Sequence, residues 1–370
     1  MIRKLLLALI VIVVIGAIAG GLLVYQLRQR LQEPYKGFAG TEVFVEIPQG
    51  ASSAEIRRRL VEAGVVSDDV LLRAAMWWSG RSRALQAGEY RFDQPASPLA
   101  VVDKIASGDV FTQRLTFPEG LTIAEMAKVF EARGFGPARA FIKAAGDGAL
   151  VKDLDAKARD LEGYLFPETY SLPRRADASR VVAMMVDRFR ASYDDTLRAR
   201  AEAQQLTTRQ VVTLASLIEK ETARADERPL VAAVYRNRIK QGMGMQADPT
   251  VVYALMKAGK YDGNIRREDL NFDSPYNTYR YPGLPPGPIA APGRASLEAA
   301  LSPADVPYLF FVSRNDGSHV FAATLKEHNA NVYQYQVLYF RAQRAARASG
   351  GSGRAGGPSS NASPEAPRRR

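Results

Sequence analysis

The sequence predicts an α+β protein: an N-terminal transmembrane helix, small strand–helix units, then a larger mixed α/β domain with a Pro/Gly-rich cleft loop. Three observations predict it. Residues 5–27 carry no charged side chain. Two stretches align with each other at an offset of 70 residues. From residue 160 onward, aromatic, Gly- and Pro-rich segments alternate with amphipathic ones.

At 370 residues and 46% hydrophobic content the chain can hold two or three packed domains. It has no cysteine, which excludes disulfides and thiolate metal sites. His319 and His328 are the only histidines, so a zinc site would need both plus carboxylates. Neither a metal nor a cofactor is expected. The formal charge is +11, but residues 347–370 hold Arg347, Arg354, Arg368, Arg369 and Arg370 against Glu365, four of those charges. The Gly/Ser/Pro/Ala-rich stretch 346–370 reads as a disordered basic tail, too poor in apolar surface to fold. With no RNP, zinc-finger or basic-helix signature in the remainder, nucleic acid is not an expected partner. The basicity fits an anionic polymer or membrane.

The uncharged run Leu5–Leu27, as a helix of about 34 Å, would cross a hydrocarbon core of about 30 Å. Ala17-Ile18-Ala19 resembles a signal-peptide cleavage site, but apolar residues continue through Leu22, Leu23 and Val24, which favours a retained single-pass anchor. Residues 1–4 then form a short cytoplasmic N-terminus, and 28–40 a linker. Arg3 and Lys4 before the span are matched by Arg28 and Arg30 after it, so flanking charge leaves the orientation open.

The aligned pair is IPQGASSAEIRRRLVEAGVV from Ile47 and FPEGLTIAEMAKVFEARGFG from Phe117. Each reads as a strand (Val43–Ile47, Gln113–Phe117), a Pro/Gly turn and an amphipathic helix opened by a capping box, Ser52 to Glu55 and Thr122 to Glu125. Gly64 and Gly134 stand where a helix C-terminus favours a left-handed residue. Residues 41–112 and 113–159 bound the two units. They resemble LysM-like glycan-binding modules, and the competing reading is a pair of spacers. Trp77 and Trp78 precede a strand-like Leu85–Phe92; a partly buried core position is expected for them ahead of a sugar platform.

In the domain 160–345, DLEGYLFPETYSLP suggests an ordered loop or short strands, followed by a helix over Ala178–Ala203. Thr207 and Gln210 form another capping box, and Pro229 suits the first turn of a further helix through Arg238. Leu309–Ser313 and His319–Ala323 flank the turn signal Asn315-Asp316-Gly317 and read as a hairpin. YNTYRYPGLPPGPIAAPG, from Tyr276, restricts its backbone with proline and is too aromatic for a linker, so an ordered loop lining a cleft is expected.

The stretch LASLIEKETA (Leu214–Ala223) sets two carboxylates in an aliphatic helix. A carboxylate there must find a partner or keep its proton, giving either a structural ion pair with Lys220 or Arg224 or an acid for chemistry. On a helical wheel Glu219 lies among Val212, Ala215, Ser216, Thr222 and Ala223, small enough for a ligand to approach. Glu221 falls with Leu214 and Leu217. The pattern favours Glu219 as the functional acid.

Taken together, LASLIEKETA, QADPTVVYAL, SPYNTY, GLPPGPIAAPG and the region from His319 to His328-Asn329 resemble the endolytic murein transglycosylase family, with LEGYLFPETY fitting the start of the same domain. The resemblance runs over about residues 40–340. It implies an enzyme of the inner membrane with its active site in the periplasm, which cleaves nascent peptidoglycan strands at MurNAc-GlcNAc β-1,4 bonds. It implies 1,6-anhydro ends, a lyase rather than a hydrolase, termination of strand elongation, and partnership with peptidoglycan synthases. It places the catalytic glutamate at Glu219. Glu221 is expected to hold or tune the site, and Gln246, Asp248, Thr250, Tyr276, Asn277, Thr278 and Tyr279 to grip the glycan. Asp248 before Pro249 could equally be a helix cap. His319 and His328 are expected to be hydrogen-bonding structural residues. A non-catalytic peptidoglycan-binding scaffold is the alternative. A pyridoxal-phosphate lyase would need a phosphate loop that the sequence lacks.

Overall fold

A computed structural model describes residues 2–174 and 176–350. The expected disordered tail falls outside the described residues from 351 on, and residues 346–350 end the helix Tyr339–Gly350. The architecture is mixed α/β. Its described residues divide into two compact units, one within 2–115 and 169–176 and the other within 116–168 and 177–350.

The first unit begins with a helix, Ile2–Gln32, whose stretch Leu9–Gln32 is long and apolar enough to cross a membrane. The helix continues past the apolar run. Leu31 is fully buried and Leu27 packs beside it in the core formed by Val45, Ile56, Leu60, Leu72, Tyr90 and Val101. Strands Val43–Ile47 and Gly88–Phe92 pair antiparallel, Val45 opposite Tyr90, and alternation puts Val45, Ile47, Tyr90 and Phe92 inside. Between them run helices Ser53–Glu62 and Asp69–Trp78, and Pro98–Ala106 follows.

Gly64 has φ +69°, and a Cβ there would lie 2.8 Å from the Gly37 backbone, so the left-handed turn and close packing both require glycine. The Ser52 box is only half made. Ser52 Oγ accepts from Glu55 N at 3.2 Å, but Arg59 takes the Glu55 carboxylate at 2.8 Å. The tryptophans depart from the core expectation: Trp77 is 76% exposed and Trp78 39%, because Leu72, Ala75 and Met76 form the inward face of their helix.

The second copy of the repeat has the same order. Strand Gln113–Thr116 pairs with Thr169–Leu172, and helices Ile123–Ala132 and Ala138–Ala145 intervene. Its capping box from Thr122 to Glu125 is complete.

In the second unit the helix Thr208–Glu221 is buried continuously from Val211 to Ile218 and packs against Arg294–Leu301, Arg228–Lys240 and Asp248–Lys257. A helix apolar on every side belongs in a core. Its capping box from Thr207 to Gln210 is complete, and Pro229 sits in the first turn of Arg228–Lys240. The single helix expected over Ala178–Ala203 is two, Ala178–Ser192 and Asp195–Ala203, because Asp194 accepts a hydrogen bond from Leu197 N (3.1 Å) and caps a new start. Phe310–Ser313 and His319–Ala322 form the hairpin, in register Val312 to Val320.

The Pro/Gly-rich segment is ordered without helix or strand. Ile289, Ala290 and Ala291 are buried, and Ile289 N donates to Ser216 Oγ at 3.1 Å. Arg209 Nη1 donates to Pro286 O at 2.8 Å, while its Nη2 pairs with the buried Asp155 at 2.8 Å. Ala291 exchanges backbone hydrogen bonds with Gly120 and Leu121, at 2.8 and 2.9 Å. Pro288 presses on Gly163, where a side chain would collide with its ring and φ is +82°. Gly163→Ala therefore combines backbone strain with overpacking. It should destabilise the fold by about 2 kcal/mol or more, read as a lowered midpoint in urea unfolding.

Candidate active site

Glu219 lies in the last turn of the buried helix, its side chain 6% exposed. Its two oxygens have different surroundings. Oε2 accepts from Ser296 Oγ at 2.7 Å and from Gly293 N at 3.0 Å. Among the described residues, Oε1 has the Arg228 guanidinium alone, at 3.5 Å. One oxygen is thus fixed by the loop end and the start of helix Arg294–Leu301, and the other is loosely held.

Arg228 is buried, its Nε has no hydrogen-bond partner among the described residues, and it also reaches Glu119 Oε2 at 3.7 Å. Glu119 comes from the Pro118-Glu119-Gly120 turn. Its carboxylate lies so close to Gly293 that an added Cβ there would collide with it. Burial raises the Glu119 pKa, the Glu219 charge adds to this, and Arg228 opposes it. Lys220 Nζ donates to Gly120 O at 3.1 Å and ties the same turn to the helix. The Gln49/Glu119 difference in the aligned turns was the signal available for this second carboxylate, and residue type alone gave it no weight.

Glu221 occupies a separate cluster. Tyr235 Oη donates to its Oε1 at 2.6 Å. Burial pushes its pKa up to about 7, with Asp248 adding and His319 and Arg238 opposing. Tyr279 Oη donates to Asp248 Oδ1 at 2.6 Å, and burial followed by that bond raises the Tyr279 pKa. Asp248 does not cap its helix: the capping position is Ala247, with no side-chain bond, and Asp248 is the first helical residue. His319 Nδ1 meets Glu227 Oε2 at 2.7 Å and its backbone N donates to Oε1 at 2.8 Å. Burial pushes Glu227 upward, but bonds from His319 and Thr222 outweigh it and the pKa falls. His328 differs from the expectation: it stacks on Phe310 at 5.1 Å, and its buried Nδ1 has no hydrogen-bond partner among the described residues.

Thr250, Asn277 and Thr278 are buried. Thr250 and Thr278 share a hydroxyl bond of 2.9 Å, Thr278 Oγ1 accepts from Ala247 N at 3.0 Å, and Asn277 Nδ2 donates to Leu270 O and Phe272 O at 2.9 and 2.7 Å. Gln246 is exposed at φ +50°, its N donating to Thr278 O at 3.3 Å. Tyr276 sets its ring 4.9 Å from Tyr253, within reach of the charges of Asp160 and Glu162.

Tyr253 belongs to a third group. Its Oη donates to the buried Glu162 at 3.2 Å, and Ile123 N donates to the other oxygen at 3.1 Å. A cleft of about 520 Å³ opens here, lined by Ile123, Lys128, Glu162, Tyr253, Lys257 and Tyr261 among others. Among the described residues, no group of three His, Cys, Asp or Glu is placed to hold a metal ion.

In class, a glutamate fixed through one oxygen beside a second carboxylate and an arginine is a candidate centre for acid–base chemistry. Residues 45–334 match the YceG-like family. The endolytic murein transglycosylase of Bacillus subtilis is 32% identical over 333 residues, 86% of this chain and 91% of that protein. The endolytic murein transglycosylase of Streptococcus pneumoniae is 29% identical over 353 residues, and the matched region spans 62% of its length. A 2.6 Å crystal structure of a yceG-like protein from Listeria monocytogenes superposes with a TM-score of 0.54 at 30% identity, covering 78% of this chain and 98% of that one. The chain belongs to the YceG-like family, that of the endolytic murein transglycosylases.

Glu162 supplies a stability test. Burial lifts its pKa from 4.5 to about 8, against the bond from Ile123 N. Between those values the folded chain keeps a proton that the unfolded chain releases, so the contribution present below pH 4.5 is lost as pH rises toward 8. Glu162→Gln should remove that slope, on the order of a few kcal/mol across the window, in urea melts from pH 5 to 9.

Proposed function

We propose that this chain is a membrane-anchored endolytic murein transglycosylase acting through Glu219. The observation that carries the reading is the asymmetry of the Glu219 carboxyl. Ser296 and Gly293 hold Oε2 and set its plane, while Oε1 keeps, among the described residues, a single long contact. In the proposed reaction Glu219 delivers a proton to the glycosidic oxygen between MurNAc and GlcNAc as the C1–O bond breaks. The C6 hydroxyl of the same MurNAc attacks C1, and its proton returns to Glu219. The products are a 1,6-anhydro-MurNAc end and a free GlcNAc hydroxyl, with no water consumed.

Arg228 and Glu119 take supporting roles in this reading. The buried guanidinium balances the Glu219 carboxylate and the half-exposed Glu119 carboxylate. Thr250, Asn277 and Thr278 shape the loop beside Tyr279 and Asp248; the exposed Asp248 and Gln246 and the half-buried Tyr279 are the candidates for holding the glycan. The β-α-α-β order of the first unit supports the LysM-like reading, with glycan binding as its role. The anchor reading is supported by Leu27 and Leu31, which continue the apolar helix into a folded core. The catalytic domain would then face the periplasm, near the synthases that make its substrate.

Glu221 motivates a second reading, since its pKa of about 7 suits a general acid. Full-length protein in detergent, incubated with purified peptidoglycan and followed by mass spectrometry, separates the two. Glu219→Gln should lower the yield of anhydro ends by about 10²–10⁴-fold. Glu221→Gln should leave a measurable rate with a changed pH profile near 7. The reverse order would transfer the acid role to Glu221, and reducing ends would make the enzyme a hydrolase. Binding without cleavage by wild type would favour the scaffold. Glu119→Gln should lower kcat by about tenfold, and because the proposed acid must start protonated, the change in the pH profile should fall on its alkaline limb.

A further inference from the structure

We propose that the outer face of helix Asp69–Trp78 docks on the bilayer surface, so that the first unit lies against the membrane. The inference rests on the retained anchor proposed above and adds a second membrane contact to it. The anchor helix is unbroken from Ile2 to Gln32, and Leu31, four residues beyond the apolar run, is fully buried in the core of the unit. Four residues rise about 6 Å, roughly the depth of one headgroup layer. No flexible linker separates span from fold, so the unit cannot stand away from the lipid.

Helix Asp69–Trp78 packs directly on the anchor helix. Its inner face, Leu72, Ala75 and Met76, is buried. Its outer stripe at positions i, i+3 and i+7 is Val70, Arg73 and Trp77, with Val70 63% and Trp77 76% exposed. Trp78 extends the apolar surface. Exposed Arg28 and Arg30 on the anchor, with Arg73 and Arg83, supply positive charge, while Asp69 is engaged by Arg57 at 2.6 Å. Tryptophan with arginine beside a membrane span is the composition of the interfacial belt, where the indole sits among headgroups and cations meet anionic lipid. An aqueous location for this face would leave two adjacent large apolar side chains solvated beside a bilayer.

Trp77 and Trp78 are the only tryptophans in the chain, so tryptophan emission, excited on the red edge where tyrosine does not absorb, reads this surface alone. Full-length protein would be reconstituted into vesicles of zwitterionic and anionic phospholipid, with and without lipids brominated near the top of the acyl chain. The expected result is a blue-shifted emission that brominated lipid quenches by about half or more and aqueous iodide barely touches. Trp77→Phe and Trp78→Phe assign the signal, and Val70→Glu should weaken the bromine quenching while circular dichroism stays unchanged. Protein that floats with the vesicles yet shows iodide-quenched, bromine-insensitive emission overturns the docking surface and leaves the anchor intact. Protein that does not float overturns the anchor, and the surface with it. Neither outcome touches the Glu219 reading, which is measured on glycan products.

Discussion

The second unit depends on one constraint: a helix buried on every side from Val211 to Ile218 ends in a glutamate. Backbone without regular structure can cross such a helix only if its polar groups find partners there. The Pro/Gly-rich segment does so at three points. Ser216 takes the Ile289 amide, Arg209 reaches the Pro286 carbonyl, and Glu219 takes the Gly293 amide. The bonds that fix this strap therefore also orient the carboxyl. Proline lowers the number of amides needing partners and limits the alternatives open to the unfolded chain, which makes an irregular strap tolerable in a core.

The same economy appears in the turn opposite. Gly120 and Leu121 pair with Ala291, Lys220 bonds to Gly120, and Glu119 rests against Gly293. A glycine at 293 is required by the approach of the Glu119 carboxylate, because its own φ lies in an ordinary extended region. One arginine stands 3.5 Å from the buried Glu219 carboxylate and 3.7 Å from the half-exposed Glu119 carboxylate, and the charge of Glu219 acts on Glu119. The raised Glu119 pKa is one expression of this coupling.

The two carboxylates of the I-E-K-E stretch, two residues apart on one helix, are sent to different environments. Glu219 is oriented by backbone and hydroxyl donors on one oxygen. Glu221 is desolvated, bonded to Tyr235, and linked electrostatically to Asp248. A rotation of about 200° between positions i and i+2 on a helix makes that separation possible. Any assignment of acid chemistry must therefore treat them as distinct groups.

Local pattern in the sequence determined much of the fold. The uncharged run gave the N-terminal helix, the repeated Pro/Gly turns gave the strand–helix order, and the capping boxes at Thr122 and Thr207 gave helix starts. The helical wheel set Glu219 among small neighbours, one of which, Ser216, carries the strap. These features are legible because they depend on residues a few positions apart. Tertiary structure alone decided the rest. Glu119 lies 100 residues before Glu219 in sequence, and Ser296 lies 77 after it. No periodicity connects such positions, and only packing of the turn and the strap against one helix end brings them together. The break at Asp194 and the exposure of Trp77 escaped the sequence reading for related reasons. A capping aspartate is indistinguishable from a surface one until the chain turns, and an amphipathic stripe does not say which large apolar residue falls outside it.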